Sequence, residues 1–577
     1  MRPCENRVTS TASLSSPIPP FRLIHVMKST STLLIAIVLL LFSFHFTHAQ
    51  DDSKSVKKLI LPGESFLLEG HPAFILWPEK EKRREPQPWV LYAPTLPAYP
   101  DQHEKWMHQQ FLDAGIAVAG IDVGEAYGNP ESQTANSALY TELTEKRGFA
   151  KKPCLLGRSR GGLWVSSWAI RNTDKVAGIA GIYPVYDLRT YPGLKRAAPA
   201  YGLTPEQLEK SLNENNPISQ VDRLAKARIP VYIIHGDEDS VVPLKQNSAA
   251  LADAYHTAGS DEALDLVVPK GQGHNFWPGF FHCQSLVNFT IDRARAGAGM
   301  KPVNRKGLPS TENVVVYRDL EYGQADGKPL LLDMFYPTNQ SKPVPVVVWV
   351  HGGGWKGGTK DRCPAAWLAE HGYAVASIDY RLLDQAQWPA QINDCRTAIR
   401  WLRANAKEFQ LDADHIGAWG GSAGGHLAAL LGTLDAPIDE QLPCRVQAVC
   451  DWYGPSDLLT MPPNVVGNGR TAEDVAKSNG ARLLGGPVRD LPDLAKQASA
   501  FYQVSVDDPP FLIMHGSKDP SVPLEQSRKL HEKLTEAGVS STFRIVDGAG
   551  HGGKEFQTPE MRQIILDFFD THLKPGQ

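Results

Sequence analysis

The chain has 577 residues, which at about 150 residues per domain suggests three or four domains. Lys and Arg (59) nearly balance Asp and Glu (63), so nothing in the net charge of −4 indicates nucleic-acid binding. A composition of 42% hydrophobic residues excludes a largely disordered chain, and seven cysteines without a CxxC pair exclude a disulfide scaffold and argue against a thiolate zinc site.

The first apolar segment, Leu33–Phe42, carries no charge, follows Met27 and Lys28, and precedes the small residue Ala49. A basic start, a short apolar run and a small residue are typical of a signal peptide, and the run is shorter than the roughly 20 residues that a membrane-spanning helix needs. We therefore expect residues 1–49 to be a leader cleaved after Ala49, with Met27 as a candidate start. The expected location is secreted or periplasmic, and the alternative is an N-terminal membrane anchor.

The first half of the remaining chain, residues 55–296, alternates short apolar runs with helical patterns, which favours a mostly parallel sheet. We call this segment domain 1. One strand-like run, Pro153–Gly157, leads into a helical pattern over Arg160–Ile170, and a Gly-x-Ser-x-Gly motif centred on Ser159 joins them. This order predicts the strand–turn–helix that a serine nucleophile motif requires.

The second half, residues 312–577, follows a predicted linker over residues 297–311 that is rich in Ala, Gly, Pro and basic residues. We call it domain 2. Its strand-like run His415–Gly420 leads through a second Gly-x-Ser-x-Gly motif into a helical pattern over Ala423–Gly432. The sequence thus predicts two large α/β-hydrolase domains in tandem, each a mostly parallel sheet flanked by helices, rather than three or four smaller domains.

The same three motifs occur in the same order in both domains: Gly-x-Ser-x-Gly, then His-Gly-x-x-Asp-x-x-Val-Pro, then Gly-x-Gly-His. Serine and aspartate are 80 residues apart in domain 1 (159 to 239) and 97 in domain 2 (422 to 519), whereas aspartate and histidine are 35 and 32 apart. One such motif is weak evidence, but two ordered sets are not a chance match. A serine nucleophile needs a base, and the base needs an orienting acid. We therefore predict two catalytic sets: Ser159, His274 and Asp239, and Ser422, His551 and Asp519.

Domain 2 contains a glycine-rich motif that predicts an oxyanion hole. The motif is His351–Trp355 (HGGGW), directly after the strand-like run Val346–Val350. Consecutive glycines leave backbone N–H groups free to point at a developing oxyanion. The motif therefore predicts that this loop supplies oxyanion donors.

Domain 1 lacks this motif and has Ala-Pro-Thr-Leu-Pro at the corresponding place. Because proline cannot donate, the N–H of Thr95 or Leu96 would have to act together with that of Arg160. Arg158 and Arg160 flank the predicted nucleophile, and the sequence leaves two interpretations open. They bind a carboxylate or phosphate of the substrate, or they are solvated surface residues.

Domain 2 contains five further motifs or extended motifs: His351–Trp355, Asp379–Leu382, Trp388–Ala390, Gly420–Gly424 with His426, and Asp451–Asp457. Together they resemble the motifs of the hormone-sensitive-lipase-like esterases, and among these the bacterial acetylxylan and feruloyl esterases. The resemblance runs from about Asn313 to Leu573. It implies carboxylester hydrolysis with Ser422 as nucleophile and the N–H groups of Gly353, Gly354 and Ala423 as oxyanion donors. Domain 1 is similar to prolyl-oligopeptidase-like and dienelactone-hydrolase-like members of the same fold.

We therefore expect an exported serine carboxylesterase that hydrolyses acetyl or feruloyl esters of carbohydrate, with no metal or organic cofactor, no nucleic-acid partner and no stable membrane span. Two alternatives concern domain 1, which could be a peptidase or amidase, or a non-catalytic binding module. His235 and His515, which open the second motif, are expected to be structural. The sequence leaves undecided whether two disulfides form after export, Cys363–Cys395 and Cys444–Cys450.

Overall fold

The computed structural model describes residues 56–303, 314–435 apart from 339 and 341, and 442–574 apart from 468. The predicted leader and most of the predicted linker lie outside these residues. Within the described residues the strands form two eight-stranded sheets, one in each domain. Both are mostly parallel and flanked by helices, so the predicted fold class is confirmed.

The sheet of domain 1 has the strand order β1-β2-β4-β3-β5-β6-β7-β8. Strand β2 is antiparallel to both of its neighbours, and the remaining pairs are parallel. The strands are β1 (Gly63–Leu68), β2 (His71–Leu76), β3 (Trp89–Ala93), β4 (Ala117–Ile121), β5 (Cys154–Arg158), β6 (Gly178–Ile182), β7 (Val231–Ile234) and β8 (Leu264–Val267).

The sheet of domain 2 repeats this topology strand for strand, in the order β9-β10-β12-β11-β13-β14-β15-β16. Strand β10 takes the place of β2 and is antiparallel to β9 and β12. The strands are β9 (Val314–Ala325), β10 (Lys328–Pro337), β11 (Val344–Val350), β12 (Ala374–Ile378), β13 (Leu411–Gly421), β14 (Ala448–Trp452), β15 (Phe511–Gly516) and β16 (Ser541–Val546).

Helices cover both sheets. Those of domain 1 are α1 (Lys105–Asp113), α2 (Pro130–Thr141), α3 (Gly161–Arg171), α4 (Leu194–Ala197), α5 (Pro205–Lys210), α6 (Leu212–Asn215), α7 (Asp222–Lys226), α8 (Ser248–Thr257), α9 (Pro278–Phe281) and α10 (Gln284–Gly297). Those of domain 2 are α11 (Ala390–Ala404), α12 (Ala423–Thr433), α13 (Ala472–Ala476), α14 (Asn479–Leu484), α15 (Pro492–Gln497), α16 (Ala500–Gln503), α17 (Leu524–Glu536) and α18 (Pro559–Leu573).

The central strands are continuous apolar runs because both faces of each sheet are covered. All seven residues of β11 and all five of β5 are buried. The longer helices are amphipathic; α17, for example, buries Leu530 and Leu534 among charged residues. Helix α18 begins after Thr558, whose hydroxyl accepts the N–H of Met561 at 3.3 Å. Local sequence and burial therefore specify the same elements.

The two domains pack directly on each other, which the sequence did not predict. The ring of Trp277 in domain 1 lies 5.3 Å from that of Tyr317 and 5.1 Å from that of Phe409 in domain 2, centroid to centroid. These three side chains belong to a buried apolar cluster that continues from one domain into the other. Because burial of apolar surface favours association, this shared cluster holds the two domains together as one compact body.

Candidate active site

Each predicted nucleophile lies in a sharp turn between a central strand and a helix. Ser159 follows β5 and precedes α3, and Ser422 follows β13 and precedes α12. Both have left-handed backbone torsions, with φ of 50° at Ser159 and 56° at Ser422. This conformation is strained for a residue with a side chain and is typical of a nucleophile held out of a sheet edge.

The second glycine of the serine motif is required by close packing. A Cβ on Gly424 would lie 2.0 Å from the carbonyl oxygen of Val350, and one on Gly161 would lie 2.2 Å from that of Ala93. Only glycine lets the start of each helix approach the neighbouring strand this closely. The motif is therefore needed for the geometry of the turn.

In domain 2 the predicted catalytic set is assembled. The Oγ atom of Ser422 is 2.8 Å from Nε2 of His551, and Nδ1 of His551 is 2.7 Å from Oδ2 of Asp519. The histidine comes from the loop after β16, and the aspartate from the loop after β15. In this arrangement Nδ1–H donates to the carboxylate, which leaves Nε2 free to accept the serine proton.

Backbone and histidine donors surround the carboxylate of Asp519. Its Oδ1 accepts the N–H groups of Ser521 at 2.7 Å and Val522 at 3.0 Å. Burial alone would raise the pKa of Asp519, but hydrogen bonds from His515, His551 and these N–H groups together hold it below its ordinary value. The carboxylate therefore stays ionised throughout the neutral range.

Domain 1 assembles its predicted set with the same geometry. The Oγ atom of Ser159 is 2.8 Å from Nε2 of His274, and Nδ1 of His274 is 2.7 Å from Oδ2 of Asp239. The Oδ1 atom of Asp239 accepts the N–H groups of Val241 and Val242 at 2.9 and 2.7 Å. As in domain 2, burial alone would raise the pKa of the aspartate, but hydrogen bonds from His235, His274 and the N–H of Val242 together lower it.

His235 and His515 contact the acids more closely than the sequence interpretation implied. Both are fully buried, and Nε2 lies 3.4 Å from Asp239 in one domain and 3.3 Å from Asp519 in the other. In each case Nδ1 is 2.7 Å from a serine hydroxyl that fixes the ring, that of Ser248 or Ser527. The signal that could have revealed this contact is their fixed place four residues before the aspartate in both copies of the motif.

The predicted oxyanion residues of domain 2 lie beside Ser422 in a cleft. We define the glycine loop as Gly352–Gly358, which follows β11. Gly353 and Gly354 have φ of 115° and 59°, which favour glycine, and a Cβ on Gly353 would lie 2.2 Å from the carbonyl oxygen of Gly357. The cleft has a volume of about 390 Å³ and is lined by Trp349, Gly352, Gly353, Gly354, Pro364, Gly421, Ser422, Trp452, Tyr453, His551, Gly553 and Gln557.

The remaining predicted donor, Ala423, is the first residue of α12 and is buried directly after the nucleophile. The first N–H groups of a helix have no partner within the helix. The glycine loop thus lines the same cleft as Ser422, and the start of α12 directly follows that serine. Such an arrangement can stabilise a tetrahedral oxyanion.

In domain 1 the loop after β3 is held differently. The ammonium group of Lys57, which is buried, donates to the carbonyl oxygen of Leu96, and the hydroxyl of Thr95 donates to the carbonyl oxygen of Tyr92 at 3.1 Å. These contacts fix the segment that contains the predicted donors Thr95 and Leu96. The third predicted donor, Arg160, directly follows Ser159 and immediately precedes α3.

The structure does not support a substrate-binding role for Arg158. Its guanidinium is buried, with Nη1 2.6 Å from Oε1 of Glu104 and 3.2 Å from Oδ2 of Asp101. A buried charge needs such partners, so Arg158 is a structural ion-paired residue rather than a solvated one. The guanidinium of Arg160 is partly exposed and pairs with Glu125.

A buried carboxyl at the end of β14, that of Asp451, carries a testable pH dependence. Asp451 accepts the N–H of Gly454 at 2.9 Å, and burial raises its pKa from 3.8 to about 6. Because the pKa of Asp451 is higher in the folded chain than in the unfolded chain, its contribution to stability is fully present below the pKa of the unfolded chain. That contribution is lost as the pH rises through about 6.

We predict that Asp451→Asn gains stability relative to the wild type as the pH rises from 4 to 8. The free energy of unfolding of the variant, relative to that of the wild type, should increase by about 2 kcal/mol over this range, because one pKa unit corresponds to about 1.4 kcal/mol. Urea unfolding at both pH values measures it, with Asp493→Asn on the exposed start of α15 as the control. A difference between Asp451→Asn and the wild type that does not change with pH would contradict the prediction.

The described residues contain no group of three or more His, Cys, Asp or Glu that could hold a metal ion. The six cysteines within them are free, so neither Cys363–Cys395 nor Cys444–Cys450 is joined as a disulfide in the structure. In the same part of the chain, no helix has both the length and the apolar character needed to cross a bilayer.

The sheet topology, the serine turns and the Ser–His–Asp geometry define two α/β-hydrolase domains in tandem. Three family models match the chain: BD-FAE over residues 332–534, the prolyl oligopeptidase family over 138–281, and TAP-like protein over 492–577. The predicted resemblance is therefore confirmed for both domains. Each model covers a part of one domain.

Known relatives match less than half of the chain. The esterases LipC and LipQ of Mycobacterium tuberculosis are each 34% identical, over 41% and 43% of this chain. The chain covers 59% and 61% of their respective lengths. Among solved structures, a truncated carbohydrate esterase from gut microbiota is 31% identical, with a TM-score of 0.41, over 46% of this chain and 99% of its own. A bifunctional GH43-CE protein of Bacteroides eggerthii is also 31% identical, with a TM-score of 0.39, over 44% and 35%.

Proposed function

We propose that domain 2 is a serine carboxylesterase in which Ser422 is the nucleophile, His551 the base and Asp519 the orienting acid. The observation that carries the proposal is the continuous hydrogen-bonded chain from Ser422 through His551 to Asp519, at 2.8 and 2.7 Å, in a cleft bordered by the glycine loop. The esterases among the relatives support the same reaction class.

The geometry leads to a two-step reaction. Nε2 of His551 accepts the proton of Ser422 as Oγ attacks the ester carbonyl, and Asp519 stabilises the imidazolium that forms. The N–H groups of Gly353, Gly354 and Ala423 bind the oxyanion. His551 then protonates the departing alcohol, which leaves an acyl-enzyme, and a water activated by the same histidine releases the acid.

The substrates we propose are acetyl or feruloyl esters of plant polysaccharide. This choice rests on the resemblance of the domain 2 motifs to acetylxylan and feruloyl esterases, and a cleft of about 390 Å³ is within the usual size range of small-molecule sites. The test compares kcat/KM for acetylated and feruloylated xylo-oligosaccharides with that for p-nitrophenyl esters of the same acids. A clear preference for the sugar esters supports the proposal, and a preference for the simple esters contradicts it.

We also propose that the protein is exported, to the periplasm or the cell exterior, after removal of residues 1–49. The support is the sequence pattern around Leu33–Phe42. N-terminal sequencing of protein recovered from the exported fraction should begin near Gln50. An intact leader on cell-associated protein would contradict the proposal and favour the anchor.

A second candidate function belongs to domain 1, which we propose is also a serine hydrolase. The specific observation is its assembled Ser159–His274–Asp239 set, whose distances equal those of domain 2. The match to the prolyl oligopeptidase family favours small peptide amides as its first test substrates. A non-catalytic binding module would not need this geometry.

We predict that a fluorophosphonate probe modifies both Ser159 and Ser422 in the full-length protein, because both hydroxyls are hydrogen-bonded to a histidine that can accept their protons. Peptide mass spectrometry after labelling identifies the modified serines. Ser159→Ala and Ser422→Ala proteins should each lose one of the two adducts. Labelling of Ser422 alone would leave domain 1 as a binding module.

A further inference from the structure

A line of polar contacts crosses the interface between the domains and reaches Lys360, two residues after the glycine loop of domain 2. In domain 1, Trp106 on α1 stacks on His282, with ring centroids 4.6 Å apart and planes 16° apart. The indole N–H of Trp106 donates to Oδ2 of Asp319 in domain 2 at 3.0 Å. His282 is itself joined to β9, because its Nδ1–H donates to the carbonyl oxygen of Arg318 at 2.9 Å.

Asp319 is held in an unfavourable backbone conformation. Its φ is 53°, although it has a side chain, and its N–H donates to Oδ1 of Asp333 at 3.0 Å. Strain of this kind persists only where surrounding contacts fix the residue. Trp106 supplies one of those contacts from the other domain. The backbone of β9 at Asp319 is thus defined jointly by both domains.

Asp319 and Asp333 together hold a buried lysine. The Nζ atom of Lys360 lies 2.6 Å from Oδ1 of Asp319 and 3.0 Å from Oδ1 of Asp333, and the lysine side chain is 7% exposed. A buried ammonium group is costly unless it is paired. The position of Lys360 therefore depends on these two carboxylates.

Lys360 follows the glycine loop by two residues and anchors its far end. Its N–H donates to Oδ1 of Asp379 at 2.8 Å, and its carbonyl oxygen accepts the hydroxyl of Ser377 at 2.7 Å. The loop is folded tightly on itself, since a Cβ on Gly358 would lie 2.4 Å from the carbonyl oxygen of Gly352. The two ends of the glycine loop therefore lie against each other, two residues before Lys360.

We propose that domain 1 positions the oxyanion donors of domain 2 through the sequence of contacts Trp106–Asp319–Lys360. The proposal rests on the esterase function proposed for Ser422 and goes beyond it, because it makes a residue of one domain a determinant of turnover in the other. Trp106 is a positioning residue in this scheme and does not touch the substrate.

The test variant is Trp106→Phe, which keeps an aromatic ring against His282 and removes only the N–H donor. Its matched control is Trp77→Phe, since the indole N–H of Trp77 donates to Glu64 at 3.0 Å within domain 1. We expect Trp106→Phe to lower kcat for p-nitrophenyl acetate roughly three- to tenfold with KM unchanged, because an oxyanion interaction is made mainly in the transition state. The control should match the wild type in both constants.

A second variant, Asp319→Asn, keeps an oxygen that can accept the indole N–H but removes the negative charge next to Lys360. It should lower kcat at least as much as Trp106→Phe, and it carries the test if Trp106→Phe does not fold. Thermal unfolding of each variant identifies folded protein. The proposal would be overturned if either variant, Trp106→Phe or Asp319→Asn, is folded and has the same kcat as the wild type.

The rate of Ser422 labelling by a fluorophosphonate distinguishes a failure of the proposed function from a failure of the positioning role. If Ser422 of the wild type is not labelled, the proposed function fails and the positioning role with it. If it is labelled at the same rate in the wild type and Trp106→Phe, the positioning role fails while the proposed function stands. Slower labelling of Ser422 in Trp106→Phe alone, with the control unchanged, supports both.

Discussion

Ser422→Ala is expected to lower hydrolysis of p-nitrophenyl acetate by the full-length protein about a thousandfold or more. The substitution removes the attacking oxygen and leaves the cleft and the glycine loop in place, and losses of this size are typical when a serine nucleophile is removed. Steady-state kinetics measure the loss. An unchanged unfolding temperature shows that the backbone at Ser422, with its φ of 56°, accepts alanine.

The matched control is Ser159→Ala, which makes the same change in the same kind of turn, at a φ of 50°. It should retain most of the activity on this substrate, since domain 2 carries the esterase motifs and the glycine loop. The reverse pattern, with activity lost in Ser159→Ala and kept in Ser422→Ala, would assign the main esterase activity to domain 1. Partial loss in both variants would mean that both domains hydrolyse the ester.

The residues of the two catalytic sets could be predicted because of their order along the chain. The ends of parallel strands lie at one edge of a sheet, so residues that follow separate strands meet there although they are distant in sequence. Ser422 and His551 are 129 residues apart and yet lie 2.8 Å apart. The repetition of the whole set in domain 1 distinguished the motifs from chance.

The interface could not be predicted, because it depends on pairs that no periodicity relates. Trp106 and Asp319 are 213 residues apart, and each alone is an ordinary residue of an ordinary helix or strand. The ion pair between Arg158 and Glu104 could not be predicted for the same reason, since the two residues are 54 positions apart. Sequence patterns describe which face of an element is buried, but the contact made by one polar side chain depends on tertiary packing.

The two domains share the serine turn and the acid but differ in the loop after the neighbouring strand, which is β11 in domain 2 and β3 in domain 1. In domain 2 that loop consists largely of glycine and is anchored at Lys360. In domain 1 it contains prolines and is anchored at Leu96 by Lys57. The nucleophile geometry is therefore common to both, and differences in substrate are expected to come from these loops and the surfaces around them.

Asp519→Asn is expected to lower kcat of domain 2 about a thousandfold, with a small effect on KM. The carboxylate holds His551 in the tautomer with the proton on Nδ1, at 2.7 Å, and an amide allows the opposite tautomer, in which Nε2 cannot accept the proton of Ser422. Because the pKa of Asp519 lies below its ordinary value, mild acid does not mimic the substitution. Kinetics with p-nitrophenyl acetate between pH 6 and 9, combined with thermal unfolding, measure the effect.

Asp239→Asn is the matched control, since its carboxylate makes the same contact with His274 at 2.7 Å. It should leave hydrolysis of this ester largely intact and lower only reactions that depend on Ser159. Full kcat in a folded Asp519→Asn protein would mean that another group orients His551. His515 contacts Asp519 at 3.3 Å, but its two ring nitrogens are already taken up by Ser527 and the carbonyl oxygen of Val522. The structure therefore leaves Asp519 as the group that can set the tautomer of His551.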